Sequence, residues 1–193
     1  MRIEQLGDET GNLVVGIAEF HNSNNLKKDE LIQLAASVSR KPLTVQLLNG
    51  YLIADETHLL SAAQNAINAL HGNYMLSRSL DVEIIVYAST QKQIGRALDT
   101  LGIHDGIEEI AAVVVGPETV SVKDAIRGLT DRIGTENIPS FPATIERIKR
   151  IKDHYQITDK EIDVISDSDD VKSQLAALSR CIVSRVSLVA FDS

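Results

Sequence analysis

Tryptophan is missing from the chain, and aromatic residues of any kind are scarce: four Tyr and three Phe make up 4% of the sequence. Platforms that grip single-stranded nucleic acid by stacking bases on rings are therefore disfavoured. A single cysteine, Cys181, excludes an internal disulfide. Eleven glycines and four prolines in 193 residues are too few for collagen-like or linker-like material. No apolar run approaches the roughly 18 residues of a membrane span, and no charged-then-apolar leader opens the chain, which predicts a soluble, cytoplasmic protein with no membrane partner. Positive charge is the minority: 19 Lys and Arg against 27 Asp and Glu leave a formal net charge of −8. That is the wrong sign for a broad nucleic-acid groove, although it leaves a local basic patch open.

Motifs that carry chemistry are also missing. His21, His58, His71, His104 and His154 are dispersed, with no i, i+4 pair and no HExxH or CxxC spacing, so no metal site is assigned. No GxSxG elbow, Walker loop or GxGxxG follows a strand. The reading is therefore of a non-enzyme with no catalytic residue and no cofactor. Cys181 lies beside Ile182 and Val183 with no His nearby in sequence, and reads as a small buried hydrophobe rather than a nucleophile.

What is present is aliphatic: 44% of residues are hydrophobic and 24% charged, which describes a chain that folds. Its length suits one domain over residues 1–193, burying about 70% of the surface the unfolded chain exposes. LVVGIAEF (Leu13 to Phe20) and the nearly pure aliphatic Ile110 to Val115 read as strands, as does Leu43 to Leu48. Apolar residues at helical spacing predict helices over Lys28 to Ser39, from Asp55 as N-cap to about His71, over Val120 to Ile133, and through Ile145, Ile148 and Ile151. Thr90-x-x-Gln93 and Thr158-x-x-Glu161 are capping-box patterns. The run DVEIIVYA (Asp81 to Ala88) admits two readings: its β-branching suits a strand, its wide apolar face a short buried helix. The sum is an α+β (mixed α/β) single domain, with a small mixed or antiparallel sheet packed against several helices and an amphipathic helix at the C-terminal end.

That last helix, beginning near Val171, carries Val171, Leu175, Leu178, Ile182, Val186 and Val189 at spacings of three and four. Ala176, Ala177, Cys181, Val183, Leu188 and Ala190 widen the stripe. A helix apolar on more than one face lies deep in a core or turns the second face to a partner. Local basic charge gathers in two sets: Arg78, Lys92 and Arg96 near one helix start, and Arg147, Lys149, Arg150 and Lys152 along another helix. Each set suits an anion or simply a solvated helix face.

The block Arg78-Ser79-Leu80, Val82 to Ser89, Gln93-Ile94, Ala97-Leu98 and Leu101-Gly102-Ile103 resembles the PRPK-binding protein family, the small kinase-associating subunit of the KEOPS (EKC) complex. Val45 to Leu48, Leu52 to Ala54, Glu56-x-His58-Leu59-Leu60, Glu146 to Lys149 and Ile157 to Glu161 are similar to its archaeal branch, and Leu178 to Leu188 is similar to the family's last helix. Two departures stand out: Asp55, where archaeal members more often have Gly, and Lys92, where they often have Arg. Lys lacks the fork that reads phosphate bidentately. The resemblance implies a helix over Asp81 to Ala88. It implies a noncatalytic subunit that binds the N-lobe of a small atypical kinase and, through it, meets the transferase that installs threonylcarbamoyl on adenosine 37 of transfer RNA. It further implies help in holding that RNA by its 3′ CCA end. On this reading Leu178, Ile182, Val186 and Val189 are the kinase-binding candidates, and Arg78, Lys92 and Arg96 the RNA-binding ones. A rival reading is a small enzyme with its site around His58 and Arg78.

Overall fold

The fold is built on the two most aliphatic segments of the chain. In the computed structural model, which describes residues 1–8 and 11–190, β4 (Glu109–Gly116) runs antiparallel to β2 (Gly11–His21) on one side and to β3 (Thr44–Asn49) on the other. β1 (Arg2–Asp8) and the two-residue β5 (Thr135–Glu136) both pair with β2 along its other edge. The described sheet thus has five strands in the path β1-β2-β4-β3, all pairs antiparallel. Ile110 to Val115 and Val14 to Phe20 are continuously buried because both faces of the sheet are covered. Side chains alternate: Val15, Ile17, Ala111, Val113 and Val115 enter one core, Val14, Ala18, Phe20, Ala112 and Val114 the other.

Helices α1 (Lys28–Val38) and α5 (Thr119–Ile133) cover the second core. Gly16 makes the approach of α5 possible, since a Cβ there would fall 2.6 Å from the side chains of Val122 and Ile126. The first and larger core lies under α2 (Glu56–Gly72), α3 (Leu80–Ser89), α4 (Ile94–Leu101), α6 (Ile145–Tyr155), α7 (Asp159–Ile165) and α8 (Val171–Leu188). The expected α+β class and antiparallel sheet are therefore found. Asp55 caps α2 by accepting the His58 N–H at 2.9 Å, and Thr158 with Glu161 forms the capping box of α7.

The two-way reading of Asp81 to Ala88 resolves as the resemblance implied, one capping reading changes, and two strands are added. Asp81 to Ala88 belongs to a helix, α3, buried from Glu83 to Ser89. Thr90 opens no helix: it is the left-handed C-cap of α3 at φ 57°, and α4 starts instead from Gln93. β1 and β5, which no sequence pattern announced, exist through pairing with β2, whose long edge gives each its backbone partners.

Candidate functional site

Helix α8 is the element on which the partner-surface expectation fell. Asp170 caps it, accepting the N–H groups of Lys172 (2.9 Å) and Ser173 (3.1 Å). Its apolar stripe then turns inward. Leu178, Ile182 and Val186 are fully buried and Val189 is 2% exposed, so the structure puts all four inside the chain's own core rather than on a surface. The reason is α2, against which α8 packs; α2 brings buried Ala62, Ala63, Ala66 and Ala69 into the core that takes the α8 stripe. Ser179, also buried, donates its hydroxyl to Asp55 Oδ1 at 2.6 Å, so one carboxylate caps α2 and pins α8 across it. At the other end Arg185 donates to the Tyr155 carbonyl and pairs with Glu161 at 3.0 Å. Beyond exposed Lys172 in its first turn, α8 shows to solvent Ala176, Arg180, Ser184, Ser187 and Leu188, the last 54% exposed. Cys181 faces inward, and burial pushes its thiol pKa up, the opposite of an activated nucleophile.

The basic triplet is not gathered at one helix start. Arg78 is exposed on the loop before α3, Lys92 lies in the turn after it, and exposed Arg96 is in the first turn of α4. Between Arg78 and Lys92 runs the whole of α3, ten residues or about 15 Å of helix. A buried acid, Glu83, fixes the Arg78 loop: its carboxylate accepts Leu76 N–H at 3.0 Å and Ser77 N–H at 2.7 Å.

The second basic set divides. Lys149 is exposed, Arg150 lies 4.6 Å over the Tyr51 ring, and Lys152 pairs with Asp159. Arg147, read as part of a solvated face, is buried. Its Nη2 meets Glu19 Oε1 at 2.6 Å, while Nη1 donates to the carbonyls of Gly50 (3.2 Å) and Ile53 (2.8 Å). Glu19 Oε2 also accepts Phe141 N–H at 2.8 Å and the Asn137 side-chain amide at 3.1 Å. This network ties α6, the 137–141 loop and the turn after β3 to the sheet. Sequence reasoning missed it; the one available signal was Glu19, an acid inside the apolar run of β2.

His58 is likewise structural. It is fully buried, Nε2–H donating to the Ala88 carbonyl at 2.8 Å and Nδ1 accepting Ala54 N–H at 3.4 Å, partners that fix the neutral tautomer. Burial lowers its pKa. The Tyr155 hydroxyl donates to the same Ala88 carbonyl at 3.1 Å, and burial raises its pKa. His58 thus sits at the C-terminal end of α3 and Arg78 ahead of its N-terminal end, so the two do not form one site. A groove of about 610 Å³ between α1, β3 and α4 has Lys28 and Asp81 as its only titratable lining. Among the described residues, no group of three or more His, Cys, Asp or Glu is placed to hold a metal, and no helix is long and apolar enough to cross a membrane.

The sheet is covered on both faces, and the buried Glu19, Arg147, His58 and Ser179 spend their polar groups on internal pinning. The chain belongs to the family of kinase binding protein CGI-121, whose pattern it matches over residues 19–190, from the last residues of β2 to just past the end of α8. No curated protein matches it.

Proposed function

We propose that this protein is the noncatalytic kinase-binding subunit of a KEOPS complex: it binds the small atypical kinase and helps recruit transfer RNA by its 3′ CCA end for threonylcarbamoyl modification of adenosine 37. The observation that carries the reading is the family match across residues 19–190, which takes in the last residues of β2, strands β3, β4 and β5, and all eight described helices. The proposed kinase-facing element is α8. Leu178, Ile182, Val186 and Val189 support it from beneath, and Ala176, Arg180, Ser184, Ser187 and Leu188 make the outward contact. Arg78, Lys92 and Arg96 are the proposed RNA contacts, acting as separated point charges along α3 and α4 rather than as one cluster. The transferase subunit is met through the kinase, and the setting is the cytoplasm.

The test is capture of the cognate kinase and of transfer RNA, separately and together, with intact and CCA-trimmed RNA compared by electrophoretic mobility. Kinase capture with binding that weakens on trimming fits the proposal. Kinase capture with no RNA binding supports a second reading, a regulatory adaptor that never touches RNA, which the net charge of −8 favours.

A further inference from the structure

Among the described aromatic residues only Tyr74 is exposed, at 49%; Phe20, Tyr87, Phe141 and Tyr155 are buried and Tyr51 is half-buried. Its place is built. α2 ends at Asn73 in the left-handed conformation (φ 56°), whose N–H reaches the Ala69 and Leu70 carbonyls, and Tyr74 N–H bonds to the Ala69 carbonyl at 3.0 Å. The Tyr74 ring then lies against Gly72, where a Cβ would fall 2.3 Å from Cε1 and 2.6 Å from Cδ1. One side of the ring is thus seated on backbone while much of the residue stays in solvent. Two residues on, the fully buried Glu83 carboxylate grips the Leu76 and Ser77 N–H groups, and the Ser77 hydroxyl donates to the Ser79 carbonyl at 2.8 Å. Arg78 projects from this held segment and is exposed. A buried acid whose hydrogen bonds go to the amides of a surface loop orders that loop in advance, and preorganisation lowers the entropy cost of binding.

We propose that the Tyr74–Arg78 loop is a preorganised platform for one unpaired nucleotide, with the Tyr74 ring stacking the base, Arg78 meeting the phosphate, and Glu83 as the positioning residue that holds the two in register. This rests on the RNA reading above. An aromatic face takes any base, and the guanidinium supplies the charge-assisted contact. The platform lies ahead of α3, so Lys92 and Arg96, beyond its far end, contact other parts of the same RNA.

The experiment uses the full chain with intact transfer RNA, CCA-trimmed transfer RNA and the cognate kinase. Tyr74→Ala is expected to weaken binding of intact RNA about 5- to 150-fold, the range of a lost base stack, with Tyr74→Phe near wild type and the trimmed RNA unaffected. Arg78→Ala is expected to reduce the salt slope by about one. Glu83→Gln, which keeps one acceptor and the side-chain volume, is expected to speed amide hydrogen exchange at Leu76 and Ser77 and to lower RNA affinity several-fold, while exchange across α2 and the sheet stays unchanged. Unchanged exchange at Leu76 and Ser77 overturns the positioning role. Wild-type affinity in Tyr74→Ala overturns the platform while the RNA reading stands on the wild-type binding. If the wild-type chain binds neither RNA, the RNA reading itself fails. Loss of kinase capture in Tyr74→Ala with RNA binding intact makes the loop a protein contact and also overturns the proposal.

Discussion

Arg147→Leu is the most severe single substitution the structure foresees outside the aliphatic core. The Arg147 side chain is 8% exposed and Glu19 0%, so removing the guanidinium leaves a carboxylate inside the protein with only Phe141 N–H and the Asn137 amide to satisfy it. Breaking one side of a buried pair costs about 3–5 kcal/mol. The Gly50 and Ile53 carbonyls lose their side-chain donor as well, which places the cost at the upper end of that range. A loss of about 5 kcal/mol is a third or more of the 5–15 kcal/mol typical of a folded domain. In a chain of this length it lowers Tm by about 10–20 °C. Urea unfolding monitored by circular dichroism measures it. The charge argument has its own control: Glu19→Gln removes the stranded charge and keeps an acceptor for Phe141 N–H, so the double variant is expected to recover about 1–2 kcal/mol relative to Arg147→Leu alone. A single-variant cost below about 1 kcal/mol, or no recovery in the double variant, refutes the reasoning.

Other consequences are as direct. Ile182→Arg forces a cation into the α2–α8 interface and is expected to unfold the chain, whereas Leu188→Glu, on the exposed face, is expected to fold normally and to weaken kinase capture; circular dichroism beside pull-down separates the two effects. Asp55→Ala removes both the α2 cap and the acceptor for buried Ser179, a loss of about 1–3 kcal/mol by urea titration. Burial lowers the pKa of both His58 and His154, so the unfolded chain binds the protons first. Their contribution to stability is complete above about pH 6.5 and is lost as pH falls through the folded-state values, with a slope of at most about 1.4 kcal/mol per pH unit for each His; His58→Gln is expected to flatten that slope in unfolding titrations at graded pH. Cys181 is expected to resist iodoacetamide in the native state and to react at once in urea, read by mass spectrometry.

The strands of the central sheet were legible because Ile110 to Val115 and Leu13 to Phe20 are apolar whichever way their alternation points, as strands covered on both faces must be. Caps were legible at Asp55 and Thr158, where a short polar side chain precedes a helix with an acid in its first turn. Thr90, three residues before the amide Gln93, carried a similar pattern without the acid and did something else, because a capping pattern is local while the end of α3 is set by what α3 packs against. β1 was illegible for a related reason: RIEQLGD has few strand formers, and the β2 edge supplies its partners.

The candidate site divides along the same line. Residue order alone pointed to the family, through the blocks from Arg78 to Ile103 that resemble kinase-binding proteins. It also determined that α8 buries a stripe, because periodicity records which residues avoid water. What covers that stripe is a long-range matter, since packing on α2 and packing on another protein impose the same spacing on Leu178, Ile182 and Val186. Only the tertiary structure could decide, too, that Arg147 is interior while Lys149 is exposed, that Glu83 spends its charge on a loop, and that Tyr74 rests on Gly72. Burial of a charge depends on partners far away in the chain, Glu19 being 128 residues from Arg147, and no local pattern records a distance of that kind.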